Sequence, residues 1–246
     1  MSNNEIVKIL YNEEIGETVR ELINELCSPN LKNNDDILAE LRILIKDNIA
    51  GHGLWSTFVT WLYNSIPDFL THFTEVDADI VLDEKIKNIT IPKNIKKINT
   101  GAFAGSKGLL TVNFEKDSEL EFLNHSAFFG CKNLKVLDLS NTLITEFDSQ
   151  TTSPNDSAIV YLPNTITTLH DGSLASFTDV MFPNVNSISD LKLNISKNAL
   201  NDWNGWMNQI TIETKTDKDV ITKEDEDAIP VLGPILLKNK NIKIYK

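Results

Sequence analysis

The segment Gly101–Leu139 repeats itself. Gly101-Ala-Phe-Ala-Gly-Ser-Lys-Gly-Leu109 and Thr111-Val-Asn-Phe114 return as Ser126-Ala-Phe-Phe-Gly-Cys-Lys-Asn-Leu134 and Val136-Leu-Asp-Leu139. Ile98 and Leu123, Phe103 and Phe128, Gly105 and Gly130, Leu109 and Leu134, and Phe114 and Leu139 are each 25 residues apart. Apolar and glycine positions coincide while the positions between them vary. Such a pattern marks a stacked repeat, in which every unit offers its neighbour the same buried row.

From Ile86 onward the same theme recurs as an apolar residue, two variable ones, an apolar one, a variable one and an apolar one. Ile86–Ile89–Ile91, Leu109–Val112–Phe114, Leu134–Leu137–Leu139, Ser157–Val160–Leu162, Phe177–Val180–Phe182 and Met207–Ile210–Ile212 carry it, with Ser157 the one polar substitute. Alternation at the end of each stretch reads as a short strand. Stacked in parallel, such strands bury Ile91, Phe114, Leu139, Leu162 and Phe182 in one row. Proline follows three of them, as Pro92, Pro163 and Pro183, and turns the chain because it cannot donate to a continuing ladder. A second apolar pair follows each turn: Ile95–Ile98, Leu120–Leu123, Ile144–Phe147, Ile166–Leu169 and Val185–Ile188.

The first part of the chain has a helical period instead. Ile15, Val19, Leu22, Ile23 and Leu26 predict a helix over 5–26, and Asp35-Asp36 open a second one that ends near Gly51. A third runs over about 54–65, with Trp55, Phe58, Val59 and Leu62 on one face, and Phe69, Leu70 and Phe73 make a further turn. Residues 1–79 are therefore expected to be a helical domain that caps the first repeat, with 80–212 as the repeats and 213–246 as an acidic loop (213–227) followed by a hairpin of Ile229–Leu237 and Ile242–Tyr245.

The succession Leu-x-x-Ile-x-Leu-Pro, Val-x-x-Ile, Gly-x-x-Ala-Phe-x-Gly-Cys resembles the BspA-like (type 5) leucine-rich repeat, closely over Leu109–Leu139 and less so over Ile86–Phe103 and Val160–Leu174. The stretch Ser149–Asp156 departs from it, being polar and without Ala-Phe. The resemblance implies an α/β solenoid: a short leucine-rich-repeat array of parallel strands with the N-terminal helical domain in front. Asn198–Gln209, with Trp203 and Trp206, looks like the C-terminal capping helix that closes such arrays. For function, the resemblance implies adhesion or protein binding.

Charge narrows the partners. Of the net −12, residues 1–85 carry −10 (16 acids, 6 bases). No segment is basic, so a nucleic-acid backbone would be repelled rather than bound by counterion release. No apolar run approaches the ~20 residues that cross a membrane. Met1-Ser-Asn-Asn-Glu lacks a basic, apolar leader, which favours a cytoplasmic or virion-associated location over Sec secretion.

Motifs for chemistry are sparse. His52, His72, His125 and His170 are scattered, Cys27 and Cys131 suggest no disulfide framework, and no metal, cofactor or catalytic set is read. Asp217-Lys-Asp219 and Glu224–Asp227 hint at calcium, but Ile221 and Thr222 stand where an EF-hand loop wants an oxygen ligand and a glycine. A solvated acidic loop is the better reading. The expected role is a non-catalytic module binding a protein, whether cell-surface or virion component. The alternative is a structural part of a larger assembly such as a phage particle, docked through the helical domain. Strand alternation turns Asn88 and Thr90, Thr111 and Asn113, Val136 and Asp138, Ile159 and Tyr161, Asp179 and Met181, and Gln209 and Thr211 outward. The middle of this concave face, Val136, Asp138, Ile159, Tyr161, Asp179 and Met181, is the expected partner site.

Overall fold

The computed structural model describes residues 3–27, 35–49, 52–66, 68–76, 80–82, 84–148, 158–196, 199, 210–221 and 243–245. Four helices come first: α1 (Asn3–Leu10), α2 (Gly16–Leu26), α3 (Asp35–Ile49) and α4 (His52–Ser65), followed by a 3-10 turn at Phe69–His72. The helix expected over 5–26 is thus two helices. Asn12 breaks it, its Oδ1 accepting from the backbone N–H of Glu14 (2.9 Å) and Ile15 (3.1 Å) in place of helical carbonyls. Gly16 lets the chain re-enter close to α1, since a Cβ there would lie 2.7 Å from the Leu10 carbonyl oxygen. Arg20 then reaches back, donating to that same carbonyl and stacking 5.6 Å from the Tyr11 ring.

Strands are numbered along the chain. One face of the array is a seven-stranded sheet, laid down in the order β2 (Asn88–Ile91), β4 (Thr111–Phe114), β6 (Val136–Asp138), β8 (Ile159–Tyr161), β10 (Asp179–Phe182), β12 (Ile210–Thr214) and β13 (Lys218–Ile221). All neighbours are parallel except the last pair, β12 and β13. The second apolar pair of four coils ends in a shorter ladder in two parts. One part is β1 (Glu75–Val76), β3 (Lys97–Ile98) and β5 (Phe122–Leu123); the other is β7 (Glu146–Phe147), β9 (Thr168–Leu169), β11 (Asn194–Ser196) and β14 (Lys243–Tyr245). The fifth pair expected, Val185–Ile188, stays outside it: Ile188 opens a 3-10 turn, and Ile195 takes the ladder position instead. Between the two ladders run the buried rows Ile91, Phe114, Leu139, Leu162, Phe182 and Ile98, Leu123, Phe147, Leu169, Ile195. No coil could bury these residues alone.

In two successive coils the third side is the Ala-Phe turn, at Ala102-Phe103 and Ala127-Phe128. Phe103 and Phe128 are fully buried and stack with ring centroids 5.3 Å apart and planes 4° from parallel. Main-chain bonds fasten the two turns together, Phe103 N–H to Ala127 O (2.8 Å) and Gly105 N–H to Phe129 O (2.7 Å). Gly101 takes a left-handed φ of 71°, and Ser126, its counterpart, is held at 59° without the freedom glycine has there.

Three further expectations are corrected. The ladder begins at Glu75–Val76, paired with Lys97–Ile98, inside the segment 1–79 assigned to the helices. Residues 213–221 are ordered rather than a loop, as the end of β12, a turn and β13. The last parallel pairing is also shifted by two residues: Ile212 lies opposite Val180 and Thr214 opposite Phe182, instead of Ile210 and Ile212. Thr214 tolerates this buried place because its hydroxyl bonds the Asn186 carbonyl (3.2 Å). Lys243–Tyr245 pairs in parallel with β11. The capping helix at 198–209, with Trp203 and Trp206, and the segment Ile229–Leu237 lie outside the described residues.

Helices and coils share one apolar core. Trp55, Phe58 and Phe69 are buried in the same cluster as Val76, Ile80, Leu82, Ile89 and Ile91. Thr60 Oγ1 donates to the Val81 carbonyl, and Asn94 Nδ2 donates to the carbonyls of Thr71 (3.0 Å) and Phe73 (2.5 Å). A chain lacking residues 1–73 should therefore aggregate or melt at a lower temperature, because Val76, Ile80 and Leu82 would face water. A soluble monomer with the full chain's Tm would refute the capping role. Phe128→Ala should cost about 3–5 kcal/mol, the range for a buried Phe. Urea unfolding that reports a loss below about 1 kcal/mol would contradict the stacked-turn account.

Candidate functional site

The outward side chains of the seven-stranded sheet form two rows, fixed by the pairing register. One row is Asn88, Thr111, Val136, Ile159, Asp179 and Thr211. The other contains Thr90 opposite Asn113, and then Asp138, Tyr161, Met181, Glu213 and Lys218 in succession. The structure therefore gathers Val136, Asp138, Ile159, Tyr161, Asp179 and Met181 into one block, three strands wide and two residues deep, and all six are half-buried. Adjacent strands are about 4.8 Å apart, so the residues of a row stand side by side.

The register shift changes the border of this block. Thr211 and Glu213, rather than Gln209 and Thr211, flank Asp179 and Met181. Glu213 was missed because Ile210 and Ile212 match the repeat pattern so well. Only the hydroxyl of Thr214, bonded within the adjoining turn, could have hinted at the slip. Face parity survives, since strand side chains alternate every two residues.

Each carboxylate of the block is oriented by a residue just beyond the end of its own strand. Asp138 Oδ1 accepts from Ser140 N–H (3.0 Å) and Ser140 Oγ (2.6 Å), while Asp179 Oδ2 accepts from Thr178 Oγ1 (2.8 Å). Glu213 is different, being paired with Lys218 at 3.0 Å.

Among the described residues, two clefts elsewhere bear comparison with this block. One of about 280 Å³ opens where the shorter ladder is interrupted between β5 and β7, lined by Glu121, Phe122, His125, Glu146, Asp148 and His170. His170 Nε2 is 3.1 Å from Glu146 Oε2 there, and Phe122 is 58% exposed. The other, about 530 Å³, sits between the end of α4 and the first coils, lined by Tyr63, Asp68, Phe69, Thr90, Pro92 and Glu115. Neither gathers an apolar patch from several strands.

Among the described residues no group of three or more His, Cys, Asp or Glu is placed to hold a metal ion, and no helix is long and apolar enough to cross a membrane. Asp217 is engaged as a hydrogen-bond acceptor, from Ser187 Oγ and from Ile188 N–H (2.8 Å). The Ser187 hydroxyl, then the Ile188 N–H, hold its carboxyl below the usual range. It serves to fix the turn before β13. Of the two thiols Cys27 is exposed and Cys131 buried, donating to the Phe103 carbonyl at 3.3 Å. Burial pushes the Cys131 thiol up to about 12, far from the thiolate a nucleophile needs. At pH 8 iodoacetamide should modify one thiol per native chain and two per denatured chain. Rapid modification of both in the native protein would contradict the packing of the Ala-Phe turns.

No curated protein matches the sequence. The model of the BspA-type leucine-rich repeat region matches residues 74–204, in six copies, beginning one residue before β1. That match spans more than half of the chain, and its repeats are the coils described above: the chain belongs to the BspA-type leucine-rich repeat family.

Proposed function

We propose that this protein is a non-catalytic interaction module that holds a partner protein on the outward face of its seven-stranded sheet. Family and fold are those of a leucine-rich-repeat interaction module in general. Repeat arrays present extended surfaces of this sort for binding. The observation that carries the finer reading is the continuity of the block on β6, β8 and β10. Val136, Ile159, Tyr161 and Met181 adjoin in register and are bordered by polar groups on both sides. A contiguous apolar patch rimmed by polar side chains is the usual sign of a protein contact. The Tyr161 ring offers a large, rigid contact area with a polar tip.

These four side chains point away from the core, so trimming two of them should leave the coils intact. The Tyr161→Ser/Met181→Ser variant is expected to keep the wild-type Tm within a few degrees. As bait in an extract of the native cells, compared with wild type by quantitative mass spectrometry, it should lose the specific partner. Unchanged capture would eliminate this face and direct attention to the acidic helical end.

A further inference from the structure

We propose that the partner segment seated on this face is cationic as well as apolar, with an arginine placed between Asp138 and Tyr161 and a second basic side chain at Asp179. The proposal rests on the docking face argued above and specifies its chemistry. On β2, β4, β6, β8 and β10 the outward positions are Asn88, Thr90, Thr111, Asn113, Val136, Asp138, Ile159, Tyr161, Asp179 and Met181, and none is basic. Glu213, the next acid along, is neutralised by Lys218. Among the described residues Asp138 and Asp179 form no ion pair. Their hydrogen bonds come from Ser140 and Thr178, neutral groups that aim a carboxylate without cancelling its charge.

Two half-buried, like-charged carboxylates beside apolar side chains lose hydration when a partner covers them, and a cation offsets that loss more fully than a neutral donor. Asp138 stands directly opposite Tyr161, and Asp179 directly opposite Ile159, on the other side of β8. A planar guanidinium can stack on the Tyr161 ring while pairing with Asp138, a combination that favours Arg over Lys. By strand spacing and rise the Cα atoms of Asp138 and Asp179 are about 12 Å apart, so one side chain cannot serve both. The net charge of −12 adds long-range attraction for the same kind of partner.

The test is selection of a random dodecapeptide library on the full chain, followed by Kd measurements on the enriched peptides by fluorescence anisotropy. The enriched pool should combine Arg with apolar residues. Its members should bind D138N/D179N at least tenfold more weakly than wild type, with the difference shrinking as salt is raised. Asn keeps an acceptor oxygen for Ser140 and Thr178, so the variant retains the local geometry. Enriched peptides without a cationic bias that still require Tyr161 and Met181 would overturn the cation proposal and leave the docking face standing. Peptides that bind Y161S/M181S as tightly as wild type would overturn both, and a pool with no enrichment over background would overturn the proposal.

Discussion

The structure depends on lateral pairing of short parallel strands in one continuous register. Each strand of the long sheet is only three to five residues and cannot persist alone, nor can one coil surround its own apolar side chains. Val112 is buried because Ile89 lies on one side and Leu137 on the other; the same holds down the line to Val180. Pairing and burial are therefore one event. A strand that slips by one residue would lose its core and expose it on the opposite face.

This constraint makes the two ends of the stack special. At the front, the helices supply what a preceding coil would: an apolar surface from Trp55, Phe58 and Phe69, and a partner for the Val81 carbonyl in Thr60. The transition is gradual, since β1 already pairs in parallel with β3 and Asn94 satisfies two carbonyls of the connecting segment. At the far end of the long sheet the chain changes direction, and β13 covers the edge of β12 in antiparallel fashion. A turn anchored by Asp217 holds that hairpin, so a buried row ends without an open parallel edge.

Where the sequence was legible follows from the same physics. Identical neighbours demand identical residues, so the period of 25 between Phe103 and Phe128 announced both the coils and the stacked turns. Helices α3 and α4 were legible from their apolar faces and from Asp35-Asp36. The boundary at Glu75 was not, because a two-residue strand has no period to read. The break at Asn12 was missed because the apolar spacing on either side hides a side-chain hydrogen bond to the backbone. The slip of β12 was missed because a buried threonine counts as polar in a pattern, although a hydroxyl with a partner is an acceptable core group. The block on β6, β8 and β10 was legible throughout, since alternation fixes which side chains face out once the inward ones are known.

The position of that block along the array has a physical logic. Near the front, Thr90 lines the cleft against α4, and at the far end Glu213 is tied to Lys218 in the closing hairpin. The outward residues at the two ends thus meet other parts of the fold, a cleft at the front and a hairpin at the back. The middle strands have no such duty. Their inward residues already have neighbours on both sides, so their outward positions can carry Val136, Ile159, Tyr161 and Met181 at no cost to the coils. Apolar residues on an exposed edge strand would invite strand pairing and aggregation. On strands paired along both edges, the main chain is already satisfied, and only side chains remain to choose a partner. A repeat array therefore leaves its outward side chains freest where its fold is most redundant.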